Sequence, residues 1–187
     1  MEAARKQKYT YADYLTWDDG QRCELIDGVV YMMSPAPSVD HQRISGEIFR
    51  QLVTYLRGKK CEVFPAPFDV RLNAANEDDT VVQPDLTVVC DHNKLDEHGC
   101  IGAPDMIIEI LSPSSENHDK MTKFKKYRQA GVREYWIVSP KSRDINVFLL
   151  ENEQYVCQPY GESDTIPVHV LDDCQIHLAD VFPSRST

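Results

Sequence analysis

The stretch MIIEILSPSSENHDKMTKFKKYRQAGVREYWIVSP, residues 106–140, decides how this chain folds. It opens on strand formers, Met106 to Leu111, interrupted by one acid, Glu109. A Ser- and Pro-rich loop follows, and a lysine-rich segment from about His118 to Ala130 has helical character, with Gly131 as a natural stop. EYWIVSP then reads as another strand, whose Tyr135 and Trp136 have the character of core residues. Alternate side chains of a strand share a face, so Glu109 sits with Ile107 and Leu111, opposite Met106, Ile108 and Ile110. An unpaired carboxylate buried on that face costs several kcal/mol, so it must neutralise, pair or bind a metal. Taken alone, Glu109 reads most simply as a salt-bridged or strand-end acid.

The flanking sequence supplies the rest of an α/β domain. YTYADYLTW predicts a short N-terminal helix. CELIDGVVYMM predicts a hairpin turning at Asp27-Gly28, a strong two-residue turn signal. Apolar residues at 44, 48, 49, 52, 53 and 56 predict a helix over His41–Leu56, with Asp40 as its N-cap. Strands are expected at CEVFP, FDVRL and VVQPDLTVVC, and DINVFLLENEQYVCQPY predicts a closing hairpin. With 187 residues, no repeat and no linker, a single domain spanning 1–187 is expected. Its motif core covers 22–140, and an acidic C-terminal hairpin and tail cover 141–187.

Composition narrows the function. Hydrophobic residues are 42% and charged residues 27% of the chain, as in ordinary globular proteins. No apolar run approaches the roughly 20 residues that span a bilayer. The N-terminus has no signal-peptide core, so a cytoplasmic protein with no membrane association is expected. On that basis the six cysteines are expected to be reduced thiols. Cys90, His92, His98 and Cys100 could ligate zinc, but their spacing matches none of the common structural sites. The net charge is −10, of which residues 151–187 hold −6 through seven acids against one base. That balance argues against tight nonspecific nucleic-acid binding. A local ridge of Lys120, Lys123, Lys125, Lys126 and Arg128 remains compatible with phosphate contact.

A second acid, Asp85 in VVQPDLTVV, changes the reading of Glu109. Two carboxylates on neighbouring strands can converge on one hard divalent cation, Mg²⁺ or Mn²⁺. The Pro84-Asp85 pair, the strand glutamate and a lysine resemble the skeleton of the PD-(D/E)XK nuclease-like superfamily. More closely, the chain resembles the Uma-type family, a former domain of unknown function grouped with restriction endonucleases. The matching pieces are CELIDGVVYMMSPAPSVDHQRI, QPDLTVV, GAPDMIIEILSPSS, the Asp119-Lys123-Tyr127 series and AGVREYWIVSP.

The resemblance implies a restriction-endonuclease-like α/β fold: a central mixed β-sheet flanked by helices, with an N-terminal β-hairpin. It implies a Mg²⁺- or Mn²⁺-dependent endonuclease acting on nucleic acid, DNA above all, and a homodimer as the natural assembly. Asp85, Glu109 and Lys123 would be catalytic, with Asp85 and Glu109 holding the metal. One departure matters: the superfamily's lysine lies two residues after the glutamate, and here that position is Leu111. Asp119, Lys123 and Tyr127 recur at helical spacing, so Lys123 is expected to fill the vacancy from the helix. Glu24 and His41 join Asp119 and Tyr127 as supporting residues. The rival reading is a catalytically silent nuclease fold that binds nucleic acid or a protein partner.

Overall fold

The computed structural model describes residues 8–17, 20–33, 36–112 and 118–182, with backbone only at 118–120. Thr10 caps α1 (Tyr11–Tyr14) reciprocally, its hydroxyl accepting from the Asp13 amide while the Asp13 carboxylate accepts from the Thr10 amide. The hairpin β1 (Cys23–Ile26) and β2 (Val29–Met32) turns at Asp27 and Gly28, both with positive φ, 52° and 76°. Those angles match the twist of the flanking strands. Helix α2 (Val39–Leu56) is capped by Ser38, whose hydroxyl accepts from the His41 amide, and not by Asp40. Asp40 lies within the first turn instead, where its charge still favours the helix dipole.

The run VVQPDLTVVC divides. Beyond β3 (Glu62–Pro65) and β4 (Asp69–Arg71), its first half forms β5 (Val81–Val82) in one sheet, and its second half forms β6 (Leu86–Val89) in another. Pro84 has no N–H to extend a ladder, which accounts for the break. Next come β7 (Gly99–Ile101), β8 (Met106–Ile110), a π-helical turn over His118–Lys123 and α3 (Phe124–Ala130). Gly131, at φ 91°, ends α3 in the left-handed conformation. The chain closes with β9 (Glu134–Ser139), β10 (Asp144–Glu151), β11 (Gln154–Gly161), β12 (Thr165–Pro167), β13 (Gln175–His177) and α4 (Leu178–Val181).

The central six-stranded sheet runs β11-β10-β9-β8-β6-β3, antiparallel except for the parallel pair β8–β9. Parallel neighbours need a crossover, and the π turn with α3 provides it. The expected central mixed sheet is present, and the N-terminal hairpin belongs to a second, five-stranded sheet beside it, β2-β1-β5-β4-β7. The alternation of β8 sorts the core as the sequence implied. Met106, Ile108 and Ile110 pack with Ile44, Ile48 and Leu52 of α2, while Ile107 and Leu111 pack with Tyr127, Tyr135 and Val70 on the other face. The acidic C-terminal segment is no loose tail up to residue 182. Ile166, Ile176, Leu178 and Phe182 are buried in the α2 face of the core.

Two cysteines depart from expectation. Cys61 and Cys90 form a disulfide. The register of β3 on β6 pairs Glu62 with Val89, so residues 61 and 90 meet directly across the strands, a proximity no sequence spacing announces. The set Cys90, His92, His98 and Cys100, already unlike a common zinc site in spacing, has other partners. Cys90 is used by Cys61, His92 Nε2 meets the Lys60 carbonyl at 2.7 Å, and the Cys100 thiol turns to the Gly102 carbonyl.

Candidate functional site

Four side chains from four elements meet between the two sheets. Glu24 on β1, Glu109 on β8 and Lys123 at the end of the π turn are 4%, 3% and 4% exposed, and Tyr127 on α3 is fully buried. Lys123 Nζ stands 2.8 Å from Glu24 Oε1 and 3.0 Å from Glu109 Oε1. The Tyr127 hydroxyl donates to Glu109 Oε1 at 2.6 Å. Lys123 and Tyr127 are one helical turn apart, so both reach Glu109 from the same face of their helix. The π turn ends at Lys123, whose buried amine faces Glu24 and Glu109. Burial, reinforced by the charges of Glu109 and Glu24, pushes the Tyr127 phenol well above its ordinary value, so it stays protonated and able to donate to Glu109.

Asp85 sits at the edge of this cluster. β6 pairs Leu86 with Ile108, and continuing that register by one place sets Asp85 opposite Glu109. Its Oδ2 accepts from the Ile110 amide at 2.7 Å and lies 3.2 Å from His41 Nε2. His41 is buried in the first turn of α2, and its contact with Asp85 links that helix to the Pro-Asp segment. The structure thus gathers Glu24, Glu109, Lys123 and Tyr127 in one network, with Asp85 and His41 beside it. The Asp119 side chain lies outside the described residues.

The sequence reading passed over the residues that hold this site in place. Gln83 donates its backbone N–H to Glu24 Oε1 at 2.8 Å. Its side chain joins Arg22, Tyr14 and Asp69. Its place immediately before Pro84-Asp85 was the one available signal. Glu134, wholly buried on β9, was also missed. It accepts from Trp136 Nε1 at 2.7 Å and from the Val170 amide at 2.9 Å, pinning the C-terminal segment to the sheet.

Comparison with known proteins shows the family of the chain. The profile of the Uma2 family, described as "Putative restriction endonuclease", matches residues 11–179. The chain belongs to the Uma2 family. Two Synechocystis proteins share the sequence. "Uncharacterized protein slr1290" is 30% identical over 144 residues, 75% of this chain and 74% of that protein. "Uncharacterized protein sll1609" is 28% identical over 143 residues, 74% and 78% of the two chains. A crystal structure described as "a putative nuclease belonging to DUF820", from Anabaena variabilis, superposes with a TM-score of 0.75 over 93% of this chain and 97% of the other. At 20% identity that likeness is one of fold. All the residues of the site described above fall inside the span matched to Uma2.

The donor chemistry of this Uma2 site suits a hard cation: its acids offer oxygen alone. Among the described residues, no three His, Cys, Asp or Glu side chains gather on one metal position. Mg²⁺ asks less, since it usually takes one or two carboxylates and keeps several waters. Asp85, one residue before β6, and Glu109 on β8 are two acids of the site with the oxygen donors such an ion takes. No helix among the described residues is long and apolar enough to cross a membrane.

Proposed function

We propose that this Uma2 chain is a Mg²⁺- or Mn²⁺-dependent endonuclease that hydrolyses phosphodiester bonds of nucleic acid, with DNA as its substrate. The observation that carries the reading is the buried Lys123 amine, 3.0 Å from Glu109 where Leu111 leaves the strand without a charge. Family membership and the nuclease-like fold support it further.

In this reading Asp85 and Glu109 hold the cation, which when bound offsets negative charge on the phosphate. Lys123 donates hydrogen bonds to the attacking water or to the phosphate oxygens, where its charge counts most as negative charge builds in the transition state. Glu24 keeps that amine charged and aimed, and Tyr127 fixes the Glu109 carboxylate by donating to it. His41 orients Asp85. Water adds to phosphorus, the ester P–O bond breaks, and the departing oxygen gains a proton. Two copies of the chain would address the two strands of a duplex.

One observation favours a second reading. Lys123 already supplies positive charge to Glu24 and Glu109, so the cluster is also a stable structural ion triad. A silent nuclease fold that binds nucleic acid or a protein partner would need no more. Cleavage assays on supercoiled, linear and single-stranded DNA and on RNA, with Mg²⁺ or Mn²⁺, separate the two. The endonuclease reading expects metal-dependent cutting that Asp85→Ala and Glu109→Ala abolish. No cutting of any substrate, or equal cutting by the variants, overturns it.

A further inference from the structure

Gln83 uses each of its side-chain polar groups and its backbone N–H. Its side-chain carbonyl accepts from Arg22 Nε and Nη2 at 3.1 and 2.8 Å. Its amide nitrogen donates to Asp69 Oδ1 at 2.8 Å and to the Tyr14 hydroxyl at 3.1 Å. The backbone N–H, with the side chain thus anchored, donates to Glu24 Oε1, the same oxygen that faces Lys123. Two residues on is Asp85. The intervening Pro84 fixes its own φ and limits the backbone of Gln83, so an anchor at 83 is transmitted along a stiff link.

We infer that Gln83, clamped by Arg22, Tyr14 and Asp69, is the positioning residue that sets Glu24 and Asp85 relative to one another at the site. The clamp joins α1, the residue just before β1, β4 and the β5–β6 break, and so fixes Gln83 on the five-stranded sheet at the point where the chain leaves it for β6. Only an amide serves at this place, because one end must accept from a guanidinium and the other must donate to a carboxylate. A glutamate would keep the Arg22 contact and set two acids against each other at Asp69. Burial already holds the Asp69 carboxyl above its ordinary value, with the Gln83 and Tyr14 hydrogen bonds opposing that rise.

The inference rests on Glu24 and Asp85 belonging to the functional site, and its test is independent of cleavage. Gln83→Met keeps the side-chain length and the backbone N–H while removing the clamp. Amide hydrogen exchange, read residue by residue by NMR, is expected to show protection at position 83 falling by about tenfold or more, the signature of a local opening. Protection at Thr87 and Ile108, in the central strands, should stay as in the wild type. Undiminished protection at 83 overturns the inference, and so does a uniform fall across the sheet, which would mark a merely structural role. Should Gln83→Met not fold, Arg22→Met removes the outer half of the clamp alone and is read the same way. Where the wild type cleaves, Gln83→Met is expected to lower kcat with KM for nucleic acid little changed, and an unchanged kcat overturns the positioning role. A wild type that does not cleave defeats the proposed function while the exchange measurement still decides the clamp.

Discussion

Removing the Lys123 ammonium while leaving Glu24 and Glu109 strands two buried negative charges. Breaking a buried pair from one side costs about 3–5 kcal/mol, so Lys123→Met should lower the unfolding free energy in a urea titration by that much. Tyr127→Phe deletes one hydrogen bond to a carboxylate without changing the packing of the ring, and about 1.5–3 kcal/mol is expected in the same measurement. Glu134 sets a pH dependence of opposite origin. Burial raises its carboxyl above the ordinary 4.5, with the Trp136 and Val170 donors offsetting part of the rise. The folded protein therefore holds this proton more tightly than the unfolded chain. Stability from this group is full below about pH 4.5 and drains as pH rises through the folded value. Glu134→Gln should remove that slope, seen as wild-type and variant stability curves converging from one side across the window. Among these residues, Lys123 was legible because its spacing to Tyr127 is local. Gln83 was not, because Arg22 and Glu24 are 61 and 59 positions away and only the tertiary fold brings them near.

Elements were legible wherever the chain carries its own punctuation. Asp27-Gly28 fixes the hairpin, and Gly131 stops α3, both through positive φ that a side chain resists. A left-handed residue with a Cβ costs about 1–2 kcal/mol, so Gly131→Ala should lower the unfolding free energy by that amount, seen as a lower urea midpoint with an unchanged denaturant slope. The loss should fall on α3, with amide exchange rising first at Arg128–Ala130, close to Lys123 and Tyr127. Punctuation that depends on pairing was harder to read. Val81-Val82 and Leu86–Val89 have one continuous strand pattern, and only Pro84 marked that they enter different sheets. Ser38 and Asp40 are both good capping residues two places apart, and local pattern cannot choose between them. The Cys61–Cys90 bond follows from the β3–β6 register, which is a property of the sheet.

At the scale of the whole molecule, charge poses the sharpest question for a protein proposed to hold nucleic acid. A net charge of −10 repels a polyanion, and the basic residues of the 120–128 ridge are partly spent: Lys123 on two acids and Lys126 on Asp27. Backbone contacts by lysine and arginine supply most nonspecific affinity, and they are scarce here. On the proposed reading, affinity should therefore depend on a divalent cation, which would add two positive charges beside Asp85 and Glu109. In EDTA, binding of a labelled 20-mer duplex is expected to be weaker than the common nonspecific range of about 10⁻⁴–10⁻⁶ M. Adding Ca²⁺, an oxygen-seeking cation of the same charge with looser coordination, should strengthen binding at constant ionic strength by about tenfold or more, or roughly 1.4 kcal/mol. Asp85→Asn with Glu109→Gln removes two negative charges and so should bind more tightly than the wild type in EDTA, yet gain nothing from Ca²⁺. Fluorescence anisotropy titrations read all four combinations. A wild type that binds equally with and without the cation would place nucleic-acid affinity elsewhere on the surface and detach it from the Asp85–Glu109 pair.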